Sequence, residues 1–277
     1  MKIPGYELRR ELGRGVYGVV WEARHEKTGH EYAVKVFQRP VVARTELEWL
    51  DRADRLPRVV TVHDARLDHD PPFLVMPRLA GSLEEARFAG ASADQVADWL
   101  QQIAEGLTSL HETLGICHCD IKPSNVLVDE NLHLYLADFG KAAYLGRELG
   151  HLGTPGYMAP EQALERELPS LEQGRVWDIY GLGATGHFLL TGQRPRVSDE
   201  FCFSLDSMER SEALTAYRRE LLERGRPLNL DQADPELARL LTGCLELEAR
   251  LRVPHPDEVR DFLLRRKGRE PGSATEP

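Results

Sequence analysis

His118-Cys119-Asp120-Ile121-Lys122-Pro123-Ser124-Asn125, followed after twelve residues by Asp138-Phe139-Gly140, is the densest cluster of chemistry-bearing side chains in the chain. Taken singly, Asp120, Asn125 and Asp138 are compatible with solvated loop positions. Together, a carboxylate, a cation and an amide oxygen at this spacing suit phosphoryl transfer. One carboxylate positions a hydroxyl, while a second carboxylate and the amide oxygen hold a divalent cation as hard oxygen ligands.

Upstream, Gly13-Arg14-Gly15-Val16-Tyr17-Gly18 is a G-x-G-x-x-G run. Such a run also serves plain hairpin turns, so its flanks decide. A dinucleotide-binding version lies between a strand and a helix, whereas β-prone residues lie on both sides here. Strand, glycine turn and strand make a flap whose backbone can approach a triphosphate without side-chain obstruction. Lys35, in Ala33-Val34-Lys35 on the next strand, is either an edge residue with its ammonium in water or an inward cation in need of an anion. Glu46 is its candidate partner, on a helix with Leu47, Trp49 and Leu50 around it. Glu48, two residues along, points elsewhere on such a helix.

The 277 residues carry 45 acidic and 35 basic side chains, a net charge of −10. Apolar residues at 42% and charged residues at 29% exclude wholesale disorder. The one basic cluster, Arg265, Arg266, Lys267 and Arg269, closes a predicted helix, where cations suit the dipole, so nucleic acid is not expected as a partner. The longest charge-free stretch, residues 179–193, is 15 residues long with four glycines, too short and too glycine-rich to span a bilayer. No apolar segment follows Met1-Lys2-Ile3-Pro4 to make a signal peptide. Cys117, Cys119, Cys202 and Cys244 show no disulfide framework, which points to a reducing compartment. Cys117 and Cys119 lack the second cysteine pair or histidine set of a metal site and read as packed thiols. A soluble, cytoplasmic chain without membrane insertion is expected.

The hydrophobic pattern divides the chain. Residues 16–23 and 31–37 read as strands separated by the turn Lys27-Thr28-Gly29-His30, and residues 73–76 as a buried strand between prolines. Ser92 and Gln95 form a capping box, after which Val96, Trp99, Leu100, Ile103, Leu107 and Leu110 recur at helical spacing up to a stop at Gly115. Residues 179–190, 214–223, 235–247 and 257–266 also read as helices, and residues 268–277 as a disordered tail. A small β-rich lobe over residues 1–80 and a larger helical lobe over residues 81–267 follow, with the boundary near residues 77–82.

With these motifs in order, the chain resembles a eukaryotic-type Ser/Thr protein kinase catalytic domain over about residues 6–264. The resemblance extends through Ala159-Pro160-Glu161, Asp178 ahead of Gly181-Leu182-Gly183, and Arg252. It implies an α+β, bilobal protein-kinase fold with ATP and Mg²⁺ as the small-molecule partners. It also implies protein substrates phosphorylated on Ser or Thr, with self-phosphorylation within reach of the same activity.

Carried over position by position, the resemblance makes Leu12, Gly13, Gly15, Gly18 and Val20 the cover of the nucleotide, with Val20, Ala33 and Leu127 around the adenine. Met76 resembles the gatekeeper and Pro77-Arg78-Leu79 the hinge, where Pro77 offers only its carbonyl and Leu79 its N–H. Lys35 resembles the lysine that contacts the α/β-phosphates and pairs with Glu46. Asp120 resembles the catalytic base, Lys122 the γ-phosphate ligand, Asn125 and Asp138 the Mg²⁺ ligands, and Thr154 the threonine bracing Asp120 and Lys122. Glu161 and Arg252 resemble a buried structural ion pair. Two departures stand out. Cys119 replaces the arginine usual before the catalytic aspartate, and only ten residues separate Lys35 from Glu46, so the helix carrying Glu46 must start late or follow a tight loop containing Pro40. A pseudokinase is the alternative, but such chains typically lack one of the positions filled here by Lys35, Asp120, Asn125 and Asp138. Small-molecule phosphotransferases of related fold usually lack the Ala159-Pro160-Glu161 and Thr154 segments.

Overall fold

The computed structural model describes residues 2–15, 17–85, 88–142, 153–163 and 170–267. The tail at 268–277 and most of the stretch between Lys141 and Gly153 lie outside the described residues.

The first lobe is an antiparallel sheet in the order β1-β2-β3-β5-β4, from β1 (Tyr6–Gly15), β2 (Gly18–His25), β3 (Glu31–Phe37), β4 (Asp64–Arg66) and β5 (Phe73–Pro77). The glycine run spans the β1–β2 hairpin, with Gly15 opposite Gly18, so β2 starts two residues later than the reading of residues 16–23. Gly18 is required by close approach: a Cβ there would meet the Val36 carbonyl oxygen of β3 at 2.1 Å. Val34, Phe73 and Val75 are fully buried at the centre of the sheet. Helix α1 (Pro40–Arg52) crosses the other side, burying Ala43, Glu46, Trp49 and Leu50.

The second lobe is helical, with a small sheet β6-β7-β8 (Gly81–Ser82, Val126–Val128, Leu134–Leu136) at its top. Helix α2 (Ala93–Ser109) opens on the expected capping box: Gln95 N donates to Ser92 Oγ and Ser92 N to Gln95 Oε1. It ends through a wide π-type turn, Leu110–Leu114, closed by Gly115 at φ 65°. Helix α3 (Leu171–Thr191) is the central element and starts eight residues before the helix read at 179–190. A second capping box, Ser170 with Gln173, marks its true start; the polar first turns carry no apolar period and hid it. Gly181, Gly183 and Gly186 of the charge-free stretch are packing positions: a Cβ on Gly181 would lie 2.8 Å from the Ile121 carbonyl oxygen, so α3 sits directly against the loop bearing Asp120. Helices α4 (Asp199–Leu205), α5 (Arg210–Arg224), α6 (Pro235–Cys244) and α7 (Pro256–Lys267) complete the lobe. Helix α6 stops three residues short of the reading at 235–247, and α5 begins four residues ahead of the reading at 214–223. Arg266 of α7 reaches Asp94 of α2 and Asp234, the N-cap of α6, so that cation serves helix docking. Among the described residues no helix is long and apolar enough to cross a membrane.

Candidate active site

Lys35 is the centre of the first half of the site. Its ammonium lies 2.7 Å from both oxygens of Glu46 and 2.9 Å from Asp138 Oδ1. Only Gln38 and Arg39 separate β3 from α1, and Pro40 occupies the first turn, where a missing N–H costs nothing. The short loop therefore brings Glu46 onto the sheet despite the ten-residue spacing, while Glu48 is exposed. Burial pushes the Lys35 ammonium down, but the carboxylates of Glu46 and Asp138 override it and hold Lys35 charged far into the alkaline range.

The β-sheet register sets the wall beside it. Val20 faces Lys35 across β2–β3, and Ala33 faces Met76 across β3–β5. Paired antiparallel residues project to one face, so Val20, Ala33, Lys35 and Met76 line the same side. Val20, Ala33, Leu12, Leu79 and Leu127 are half-buried, Met76 is buried, and Pro77 is exposed at the end of β5. Gly13 and Gly15 have open space where a Cβ would stand, unlike Gly18. The first two glycines thus leave the hairpin backbone accessible, and the third locks it to β3.

The catalytic-type loop is held from below. Asp178 of α3 accepts the His118 N–H at 2.8 Å, the Cys119 N–H at 2.7 Å and His111 Nε2 at 2.8 Å. Cys119 sits at φ 63°, the left-handed region, and its carbonyl accepts Gln162 Nε2 at 2.8 Å. Asp120 follows with its side chain turned to Thr154, whose hydroxyl donates to Asp120 Oδ1 at 2.7 Å. Asn125, in the 3₁₀ turn Pro123–Asn125, donates from Nδ2 to both the Asp120 carbonyl and Oδ2. Lys122 Nζ lies 3.1 Å from Thr154 Oγ1 and 3.5 Å from Asp120 Oδ2. Burial would raise the Asp120 carboxyl, but Lys141, Lys122 and the Thr154 hydroxyl overcome it and hold the group below its usual range.

Asp138 precedes the 3₁₀ turn Phe139–Lys141 with its own backbone at φ 62°. Burial again opposes its charge, and Lys35 beside it brings the carboxyl down to about 2. Phe139 is fully buried, its ring 5.0 Å from that of His118, and His118 Nε2 bonds the Ala137 carbonyl at 3.0 Å. These contacts keep Asp138 turned toward Lys35.

Three residues of the site had no role in the sequence reading. Lys141 contacts Asp120 Oδ2 at 3.1 Å, Tyr17 of the glycine hairpin packs against Gly140, and Gln162 bridges Cys119 to the Ala159 N–H. A lysine, tyrosine or glutamine beside a motif carries no pattern that marks it; only the fold brings them in. One expectation needs adjusting. Arg252 pairs with Glu161 at 2.6 Å with its own side chain fully buried, but Glu161 keeps 27% exposure, so the pair is buried on one side only. Arg252 also donates to the carbonyls of Glu246 and Val176, which satisfies the guanidinium. Cys117 and Cys119 are buried in a cluster with Tyr157, Trp177 and Leu245, as packed thiols should be. His111, Cys117 and Asp178 do come within 4.8 Å, but Asp178 is already engaged by three donors and burial pushes the Cys117 thiol up. That chemistry is hydrogen bonding within a core, not metal ligation.

The donor set near Asp138 is a better fit for a hard cation. Asp138 keeps its charge and over a third of its side-chain surface, and the amide oxygen of Asn125 accepts no hydrogen bond among the described residues. Both are oxygen donors of the kind Mg²⁺ takes.

A five-stranded lobe with an ion-paired helix, stacked on a helical lobe whose loop aspartate is braced by lysine and threonine, is the bilobal α+β architecture of protein kinases. The family model described as "Protein kinase domain" matches residues 6–261, and the chain belongs to that family. It is similar to the calcium/calmodulin-dependent protein kinase type II alpha chain of Drosophila melanogaster, 30% identical over 207 residues, covering 69% of this chain and 38% of that one. CBL-interacting protein kinase 17 of Oryza sativa subsp. japonica is 32% identical over 209 residues, 69% of this chain and 44% of its own length. Death-associated protein kinase 2 of Mus musculus is 31% identical over 214 residues, 70% and 56% respectively. The chain thus matches from under two fifths to just over half of these relatives' lengths.

Proposed function

We propose that this chain transfers the γ-phosphoryl group of ATP to Ser and Thr hydroxyls of protein substrates, its own copies included, with Mg²⁺ as the metal. The single observation that carries the reading is the Asp120–Thr154–Lys122 constellation. The Thr154 hydroxyl donates to one oxygen of Asp120 while the Lys122 ammonium lies near the other, so a carboxylate and a cation are held side by side. In this reading Asp120 orients the incoming hydroxyl and takes its proton, and Lys122 stabilises charge on the transferring group. Lys35, held charged by Glu46, binds the α/β-phosphates beneath Gly13 and Gly15. Asn125 and Asp138 would hold Mg²⁺, which when bound neutralises phosphate charge. Phosphoryl transfer is mostly positioning and electrostatics, and those are the properties these contacts supply.

The proposal includes independence from phosphorylation of the segment that runs from Asp138-Phe139-Gly140 to Ala159-Pro160-Glu161. Position 119 is a cysteine with no charge to receive a phosphate, and residues 141–153 contain neither serine nor threonine. The reading is tested by incubating the chain with labelled ATP, Mg²⁺ and a basic protein, followed by phosphoamino-acid analysis. Label on Ser and Thr supports it; label on small molecules alone contradicts it.

A further inference from the structure

Lys141 stands immediately after Asp138-Phe139-Gly140, yet its ammonium is directed to the other half of the site. Nζ donates to the Gly153 carbonyl at 2.9 Å and to Thr154 Oγ1 at 3.4 Å, and it lies 3.1 Å from Asp120 Oδ2. The side chain is 17% exposed. Thr154 has one hydroxyl hydrogen, which goes to Asp120 Oδ1; its lone pairs face Lys122 and Lys141. Two ammonium groups therefore straddle one carboxylate, but they have different reach. Lys122 belongs to the catalytic loop itself, whereas Lys141 ties that loop to two consecutive residues, through the Gly153 carbonyl and the Thr154 hydroxyl.

The segment is built to transmit such an anchor. Gly153 is at φ 101°, and a Cβ there would meet Met158 Cβ at 2.7 Å. The Tyr157 and Met158 N–H groups return to the Thr154 carbonyl, so residues 153–158 form one tight turn. The turn continues into Gln162, which grips the Cys119 carbonyl. Fixing Gly153 and Thr154 fixes the hydroxyl that braces Asp120.

We propose that Lys141 is a positioning residue, an internal cationic clamp that docks the 153–163 segment onto the catalytic loop. It orders the segment with a charge already present in the chain, while the residue before Asp120 is an uncharged, buried cysteine. The bonds are charge-assisted and partly shielded from water, which makes them strong enough for that task. The proposal rests on the kinase reading above and adds the residue that sets the segment in place. The contrary role has the opposite sign: an ammonium that merely occludes Asp120 would have to leave before an acceptor hydroxyl could approach.

The test compares wild type, Lys141→Met and Lys141→Arg in two measurements. In the first, Lys141→Met lowers kcat/KM for a basic protein acceptor at least about tenfold, with KM for ATP within about twofold of wild type and Lys141→Arg recovering most of the loss. In the second, hydrogen exchange read by mass spectrometry shows faster exchange over residues 153–163 in Lys141→Met, with α6 and α7 unchanged. Unchanged or increased activity in Lys141→Met overturns the clamp, as does equal loss in both variants, a matching rise in KM for ATP, or unchanged exchange. If wild type transfers no phosphate at all, the kinase reading fails, and the exchange measurement still decides whether Lys141 clamps the segment.

Discussion

Asp178 holds Cys119 from behind: its Oδ1 accepts the Cys119 N–H at 2.7 Å while its Oδ2 takes the neighbouring N–H of His118. A helix residue 59 positions away in sequence thereby stabilises a left-handed backbone that a non-glycine residue seldom adopts. The direction in which Asp120 leaves the loop follows from that bend. Asp178→Ala should therefore lower stability by about 2–4 kcal/mol, because buried N–H groups lose their acceptor. Urea unfolding measures the loss. A cost under about 1 kcal/mol would mean the loop keeps its shape by other means.

Lys35→Met removes the cation proposed to bind phosphate without emptying the apolar core. Phosphate transfer should fall at least about a hundredfold, and the thermal midpoint should fall as well, because Glu46 is left buried without its cation. If steady-state kinetics showed more than about a tenth of the wild-type rate, Lys35 would not be the phosphate lysine.

Asp120→Asn and Asp138→Ala should separate chemistry from nucleotide binding. The first removes the proposed proton acceptor and should reduce kcat far more than ATP affinity. The second removes a proposed metal ligand and should weaken Mg²⁺-dependent nucleotide binding as well as the rate. Calorimetric titration of nucleotide with and without Mg²⁺ reads the difference; equal weakening by both variants would contradict this division of roles.

Treatment with a phosphatase, followed by initial-rate assays short enough to prevent re-phosphorylation, should leave activity essentially intact. Tyr144 is the one hydroxyl in residues 141–153, and Thr154, which follows, already donates its hydroxyl to Asp120. A phosphate there would bring negative charge against that carboxylate and inhibit. A large loss of activity after dephosphorylation would show that an activating phosphate exists elsewhere.

Much of the site could be read from residue type and spacing because its members are polar side chains at fixed offsets in short motifs. Lys35, Asp120, Lys122, Asn125 and Asp138 all announced themselves in this way, and Thr154 joined them through the resemblance. The pairing of Lys35 with Glu46 was harder, since ten residues of spacing do not say how the loop turns; Pro40 at the start of α1 settles it. Lys141 and Tyr17 were not legible at all. Their contacts join elements far apart in sequence, and no local period or composition reports a tertiary meeting of that kind. The early start of α3 was missed for a different reason. Its capping box was present in Ser170-Leu171-Glu172-Gln173, but the helix is nearly surrounded by protein further along, so no single apolar stripe extended the pattern back to it.

The most direct test of the central claim is transfer of label from γ-labelled ATP to a basic protein with Mg²⁺ present, run side by side with Asp120→Asn. The account expects phosphoserine and phosphothreonine from wild type, loss of the signal when the metal is chelated, and at least about a hundredfold less from the variant. Equal labelling by wild type and Asp120→Asn, or none by wild type on any protein including itself, would contradict it.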